Sequence, residues 1–274
     1  MSITSRKICF IGSGNMARSI ISGLVNGGYP ANLIESTNPS AGKLTALQSE
    51  FGISVSHDNH QAAQNADVIV LAVKPQLMQA VCEHLQNIDV SSKLIITIAA
   101  GIPAKRYSDY LNQPINLIRT MPNTPTQIGV GVTGVFAPAN ITEPQKQLCQ
   151  TIMATGGDVV WVEKESDLNN VIALAGSSPA YFFMFMESMI QVGEELGMPA
   201  ESVRLMVQQA ALGAAEMVKQ NPQLSAAELR QNVTSKGGTT AEAIATFEKG
   251  GLRDLIESSM KNCIKKAEDM EKLF

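Results

Sequence analysis

The earliest chemical signal in the chain is an apolar, strand-like run, Ile8-Cys9-Phe10-Ile11, that passes directly into Gly12-Ser13-Gly14-Asn15-Met16-Ala17. In this Gly-x-Gly-x-x-Ala pattern the first glycine permits a tight turn and the second lets backbone approach a pyrophosphate. The alanine allows a helix to pack closely on the strand. The N-terminus of that helix offers unpaired N–H donors to an anion. A bare glycine motif is weak, and a glycine-rich turn in an unrelated α/β protein is the alternative. Leaving a strand and opening a helix inside a strand-helix-strand unit is the context that makes it a dinucleotide cradle.

The end of the second strand bears on which dinucleotide. Sites for NAD usually place an acid there, about 20 residues past the glycines, to hold the ribose 2′-hydroxyl. Here the stretch is Ile34-Glu35-Ser36-Thr37-Asn38-Pro39-Ser40, and Glu35 is its single acid. Strand alternation leaves Glu35 equally able to face the ribose or to face away. Ser36, Thr37 and Asn38 are neutral donors that tolerate a 2′-phosphate, with Lys43 nearby. The pattern favours NADPH, and the absence of arginine leaves NADH usable.

Two segments of the second half suit a small carboxylate: Ala175-Gly176-Ser177-Ser178-Pro179-Ala180-Tyr181 and Val233-Thr234-Ser235-Lys236-Gly237-Gly238-Thr239-Thr240-Ala241. Glycine backbone and hydroxyls at a helix start bind an anion without arginine, although ordinary N-capping gives the same residues. Reduction of a ketone needs a positioned proton donor, usually histidine or lysine. The three histidines, His57, His60 and His84, all fall in the first half. A substrate that brings its own proton, such as an iminium, fits better. Two competitors stay open: a hydroxyacid or phosphogluconate dehydrogenase using Lys236, and a dinucleotide sensor without catalysis.

The elements that must position these residues follow from periodicity. Strands are expected at 7–11, 32–36, 68–73, 94–99 and 115–120, with helices at 16–25, 43–50, 76–85 and 104–111 between them. Two more β-like runs, 132–136 and 159–162, flank a helix at 143–155, where Thr142 and Gln145 form a capping-box pattern. This alternation argues an α/β fold with a parallel, Rossmann-like doubly wound sheet. After Val162 the β signal stops. Helices are expected at 178–196, with Ser178 as N-cap and Pro179 first, then at 200–220, 239–249 and 251–272, with a capping box at Ser225-Ala226-Ala227-Glu228. The expected domains are 1–163, binding the dinucleotide, and 164–274, all-helical.

Composition bounds the remainder. A chain of 274 residues has a prior of about two domains, and 45% hydrophobic with 17% charged residues describes a globular protein. A net charge of -4 supplies no basic excess for a nucleic-acid backbone. Cys9, Cys82, Cys149 and Cys263 are scattered, with no paired spacing and no zinc-type cluster with histidine, so no metal is expected. Cys9 reads as a small buried hydrophobe. The uncharged stretches 120–142 and 169–186 are interrupted by proline, glycine, serine or asparagine, so neither reads as a membrane helix. The chain enters its first strand with no secretory signal before it, and the expected location is the cytoplasm. Residues 181–194 include Phe182, Phe183, Met184, Phe185, Met186, Met189 and Ile190, apolar nearly all round. A small helical domain offers little interior, so a second copy of the chain is the expected cover.

Several motifs together resemble the pyrroline-5-carboxylate reductase family. They are Ile11-Gly12-Ser13-Gly14-Asn15-Met16-Ala17, Ala72-Val73-Lys74-Pro75, Ala99-Ala100-Gly101, Arg119-Thr120-Met121-Pro122-Asn123-Thr124-Pro125, Gly176-Ser177-Ser178-Pro179-Ala180-Tyr181 and Ser235-Lys236-Gly237-Gly238-Thr239-Thr240. The resemblance spans nearly the whole chain. It implies reduction of L-1-pyrroline-5-carboxylate to L-proline with NADPH or NADH, by a homodimer whose helical domains interlock and which in many members stacks as five dimers into a decamer. Carried over by position, Gly12, Ser13, Gly14, Asn15 and Met16 would cradle the pyrophosphate, and Ser36, Thr37 and Asn38 would meet the adenosine ribose or its phosphate. Asn59, Ala72, Val73, Lys74, Pro75 and Ala100 would line the cofactor further along, with Met121 and Asn123 near the nicotinamide. The substrate would be held by Ser177, Gly237, Gly238, Thr239 and Thr240, with Asn232 and Glu165 nearby. Thr240 would bond the ring nitrogen and is the candidate for proton delivery.

Overall fold

The computed structural model describes residues 6–274. Its packing separates two compact units, one running to Ser177 and resuming at Cys263–Phe274, the other Ser178–Asn262. The sequence places the change at 163/164. The division by packing falls later because a short helix and a π-helical turn continue to pack with the sheet's unit, and the last turns of the final helix return to it.

In the first unit the chain runs β1 (Ile8–Ile11), α1 (Asn15–Asn26), β2 (Ile34–Thr37), α2 (Ala41–Phe51), β3 (Ser54–Ser56), α3 (Asn59–Asn65), β4 (Val68–Leu71), α4 (Pro75–Glu83), β5 (Leu94–Thr97) and α5 (Ala104–Leu111). Then follow β6 (Asn116–Pro122), β7 (Gly131–Phe136), α6 (Glu143–Ala154), β8 (Gly157–Trp161) and α7 (Asp167–Val171). The strands form one sheet in the order β3-β2-β1-β4-β5-β6-β7-β8. Strands β1 to β6 are parallel, and the order reverses between β1 and β4. In doubly wound sheets that reversal opens a crevice beyond the carboxyl ends of the strands, where ligands bind.

Alternation explains the two layers. Ile8 and Phe10 of β1, with Val68 and Val70 of β4, join the core on one face beside α1 and α6. Cys9, Ile11, Ile69 and Leu71 join the core on the other, beside α4 and α5. Both strands are wholly buried, as continuous apolar runs in a covered parallel sheet should be. The expected parallel sheet needs one correction. Strand β7 runs antiparallel to β6, and β8 then pairs parallel with β7. The link between β6 and β7 holds a short 3-10 helix, Thr124–Ile128, where a parallel return needs a crossover of about a dozen residues or more. Strand β3 and helix α3 are additional to the elements expected from periodicity. The capping box of Thr142 and Gln145 is present as expected.

The second unit consists of α8 (Ser178–Glu195), α9 (Ala200–Gln220), α10 (Ala226–Asn232), α11 (Thr239–Lys249) and the front of α12 (Leu252–Glu271). Ser225 and Glu228 form the expected capping box on α10. Helices α8 and α9 leave Phe182, Phe183, Met184 and Leu205 more than 60% exposed. Among the described residues no helix is long and apolar enough to cross a membrane, and no cluster of His, Cys, Asp or Glu is arranged to hold a metal.

Candidate functional site

The turn after β1 is built for close approach. Gly12 has φ +106°, its N–H donates to Thr37 O at 2.9 Å, and a Cβ there would lie 2.5 Å from Ala72 O. Gly14 differs. As the N-cap of α1 it has ordinary φ, and a Cβ would meet nothing within 4 Å. Nothing in the folded chain demands glycine at this position, so the open space is free for a ligand to approach the backbone. No described side chain caps α1. The first N–H groups at Asn15 and Met16 therefore stay available to an anion, helped by the helix dipole. These residues fit the diphosphate of a dinucleotide.

Beside this turn, Ser13 Oγ and Ser36 Oγ lie 2.9 Å apart, and Ser13 Oγ donates to Thr37 O at 3.2 Å. Thr37 Oγ1 donates to Asn59 Oδ1 at 2.6 Å. Ser36 and Thr37 are fully buried, so their hydroxyls hold the glycine turn and are not presented to a ribose. Of the three expected ribose donors only Asn38 is half-exposed, its carbonyl bonded by His57 Nδ1 at 2.7 Å. Glu35 lines a small recess with Lys7, Asn32, Ser54 and Asn65, beside the entry ends of β1 and β2. The alternation left open in the sequence thus resolves away from the ribose.

The next strand ends complete the crevice. Ala72 and Val73 follow β4, and Lys74, exposed, is the N-cap of α4 with Pro75 at its first position. Ala100 follows β5 and is half-buried. Under it Thr97 Oγ1 and Tyr107 OH lie 2.7 Å apart, and burial pushes the Tyr107 phenol well up. Met121 lies at the end of β6, and Asn123 directly follows it. The Asn123 amide, however, is occupied within the chain: Oδ1 accepts Val132 N–H and Nδ2 donates to Ala175 O.

The substrate side brings one added contact and one change. Glu165 Oε1 accepts from Arg119 Nη1 at 2.6 Å and from Ala104 N–H at 2.6 Å, so its carboxylate pairs a 3%-exposed guanidinium and tops α5. Both bonds fall on Oε1, and the carboxylate is a third exposed. The signal for this pair was Arg119 itself, the one charged residue of its strand, which must find partners when buried. Ser178 is not an N-cap. Residues Ile172–Gly176 already form a π-helical turn, Ser177 N–H bonds Ile172 O at 2.7 Å, and α8 begins at Ser178 itself. The second segment keeps its expected form. Gly238 is the N-cap of α11, no described side chain caps it, and Thr239 and Thr240 are exposed on its first turn. Gly237, with φ +73°, shapes the loop, and Asn232, which ends α10, is exposed.

Comparison with known proteins agrees with both halves. Residues 7–101 match a family described as "NADP oxidoreductase coenzyme F420-dependent", and residues 165–270 match one described as "Pyrroline-5-carboxylate reductase dimerisation". A pyrroline-5-carboxylate reductase of Vibrio alginolyticus is 54% identical over 269 residues, covering 98% of this chain and 99% of the relative. The chain belongs to the pyrroline-5-carboxylate reductase family. Solved structures of reductases agree. The Coxiella burnetii enzyme is 40% identical, with a TM-score of 0.91 over 97% of this chain and 98% of that one. The Plasmodium falciparum pyrroline carboxylate reductase, solved with NADP bound, is 26% identical with a TM-score of 0.89, covering 98% and 100%. Membership makes the Rossmann-like sheet the cofactor half of an NAD(P)-dependent reductase and leaves the dehydrogenase and sensor readings without support.

Proposed function

We propose that the chain reduces L-1-pyrroline-5-carboxylate to L-proline with NADPH, the last step of proline biosynthesis, as a homodimer in the cytoplasm. The observation that carries the reading is one chain holding both an uncapped glycine cradle at Gly12-Ser13-Gly14 and an uncapped glycine helix start at Gly238-Thr239-Thr240. A reduced nicotinamide held there would supply hydride to the carbon of the protonated imine, whose C=N electron pair would pass to the nitrogen that already carries the proton, giving proline.

The chain's own residues bind and orient. Gly12 to Met16 hold the diphosphate with backbone N–H groups. Ser36 and Thr37 fix that turn through Ser13 and Asn59, and Asn38 meets the ribose. Glu35 on the far side of the strand and the absence of an acid facing the ribose support NADPH over NADH. Ala72, Val73, Lys74, Pro75 and Ala100 line the path toward Met121. In the helical unit the N–H groups of Gly238, Thr239 and Thr240 take the substrate carboxylate, with Gly237 and Asn232 shaping their surroundings. Thr240 Oγ1 bonds the ring nitrogen. A threonine hydroxyl is a weak acid, so this contact orients the imine more than it delivers a proton. Glu165 serves by holding Arg119. The apolar faces of α8 and α9 support pairing with a second copy, and four free cysteines support a reducing compartment.

The test is direct: mix the purified chain with NADPH and racemic pyrroline-5-carboxylate, follow loss of reduced-nicotinamide absorbance, and identify the product. Rapid turnover to proline that stops near half of the racemate is expected. Binding of NADPH with no turnover would overturn the reading.

A further inference from the structure

Asn123 directly follows β6, with both sides of its amide in use. Oδ1 accepts Val132 N–H at 2.9 Å, and Nδ2 donates to the Ala175 carbonyl at 3.1 Å. A backbone N–H can only donate and a carbonyl can only accept, so one orientation of the amide satisfies both neighbours. The residue is 7% exposed, so water is a poor substitute for either bond. Met121, two residues earlier, presses on the same place: a Cβ at Gly176 would lie 3.0 Å from Met121 Cε. The end of β6 thus grips the Ala175-Gly176-Ser177 turn at two points.

That turn has unusual backbone. It completes the π-helical stretch Ile172–Gly176, and π-turns are rare and concentrate at functional sites. On its far side Cys263 Sγ lies 3.5 Å from Ser177 Oγ. Ser177 is thereby held through its hydroxyl on α12 and, through Ala175, on β6.

We propose that Asn123 is a positioning residue. By pinning the Ala175 carbonyl to the end of β6 it sets the separation between Met121, on the nicotinamide side, and Ser177, on the substrate side. The inference rests on the reading above, which places those two residues on those two sides. It moves Asn123 from cofactor contact to strut. Hydride passes only when donor and acceptor carbons stand about 3–3.5 Å apart, and a displacement of about 1 Å costs on the order of 10²-fold in rate. Cofactor affinity is spared, because diphosphate and ribose are held at β1 and β2.

The test uses the full chain carrying Asn123→Asp. This variant keeps the shape and the oxygen facing Val132 N–H, and sets an acceptor against the Ala175 carbonyl. Three readouts are taken: hydrogen exchange of residues 172–178 without ligand, NADPH affinity by fluorescence, and turnover with NADPH and with its C4-deuterated form. Faster exchange at the Ser177 amide is expected, with NADPH affinity within about threefold. The turnover number should fall about 10- to 100-fold, with a larger isotope effect as the hydride step becomes limiting. Gly176→Ala, which wedges Met121 from the opposite side, should give the same signature and carries the test if the aspartate variant does not fold. Wild-type turnover and isotope effect in the variants would overturn the proposal. So would a fall in turnover matched by an equal loss of NADPH affinity, which would mark Asn123 as a cofactor contact. A wild-type chain that binds NADPH yet leaves pyrroline-5-carboxylate unreduced would instead remove the reading of the site, and the proposal with it.

Discussion

A methyl group on Gly12 would stand 2.5 Å from the Ala72 carbonyl oxygen, on a backbone whose φ of +106° L side chains rarely adopt. Gly12→Ala should therefore destabilise the fold by about 1–3 kcal/mol and also displace the turn proposed to meet the diphosphate. Thermal unfolding and NADPH titration should report both losses. Thr240 has a different kind of consequence. Its exposed hydroxyl carries no described hydrogen bond, so Thr240→Ala should leave the melting temperature unchanged. It should lower turnover about 10- to 100-fold with little change in NADPH affinity; equal losses in both would deny it a substrate-side role. The cysteines divide by burial. Desolvation pushes the Cys9 and Cys82 thiols up to about 12 from 9.0 and the Cys149 thiol further still, while Cys263 is half-buried. At mildly alkaline pH an alkylating reagent followed by mass spectrometry should label Cys263 first and the other three only on unfolding. The sign of the linkage follows: the unfolded thiols lose protons first, so the stability they contribute is complete below about 9 and declines as pH rises toward about 12.

Between elements, the tie that matters most is Arg119. It joins β6 to Glu165 at 2.6 Å and to Glu271 on α12 at 3.4 Å, while Asn169 Nδ2 donates to the second oxygen of Glu271 at 3.2 Å. Tyr110 OH and Arg106 Nε both donate to the Phe274 carbonyl, so α12 and the residues after it are fastened within the sheet's unit at several points. Glu165→Ala leaves a buried cation with only its longer partner. It should cost about 2 kcal/mol by chemical unfolding, less than a fully buried pair because Glu165 is a third exposed. Glu165→Gln, which keeps an acceptor for Ala104 N–H, should cost less. This pair also shows how far the sequence could be read. The glycine turn, the strands flanking it and the capping boxes were legible, because each rests on local residue types. Strand β3 was not, since Ser54-Val55-Ser56 is only three residues long with a single apolar side chain, and α3 buries only Ala62 and Ala63. The reversal of β7 was legible in principle from the short link after Pro122, which leaves no room for a crossover. Nothing in Ile172-Ala173-Leu174-Ala175-Gly176 marks a π-turn. Asn123 and Met121 meet it from the end of β6, and such contacts across the fold leave no local trace. The hydroxyls of Ser36 and Thr37 misled for the same reason: residue type showed donors, and only the packing against Ser13 and Asn59 showed where they were spent.

At the scale of the molecule the two units differ in how much of their apolar surface they cover themselves. The sheet's unit buries β1, β4 and β5 completely, whereas α8 has no buried residue, and Phe182, Phe183 and Met184 are 65%, 61% and 69% exposed in a single chain. Contiguous apolar patches of this kind on a soluble monomer mark an interaction surface. The obvious cover is the same surface of a second copy, which two-fold symmetry makes self-complementary. Light scattering at micromolar protein should therefore give at least twice the 29.3 kDa of one chain. A mass of one chain, independent of concentration, would contradict the pairing. The paired variant Phe183→Glu with Met189→Glu buries charge in that interface and should dissociate it. The two activities should then separate. The cradle at Gly12 to Met16 lies in a unit with its own complete core, so NADPH binding should survive. The loop at Gly238 to Thr240, proposed to hold the carboxylate, lies in the unit that lacks one, so turnover should fall by more than about tenfold. Loss of NADPH binding along with the mass would show that the sheet's unit also depends on the pairing. Full turnover by a dissociated chain would show that one copy is a complete enzyme.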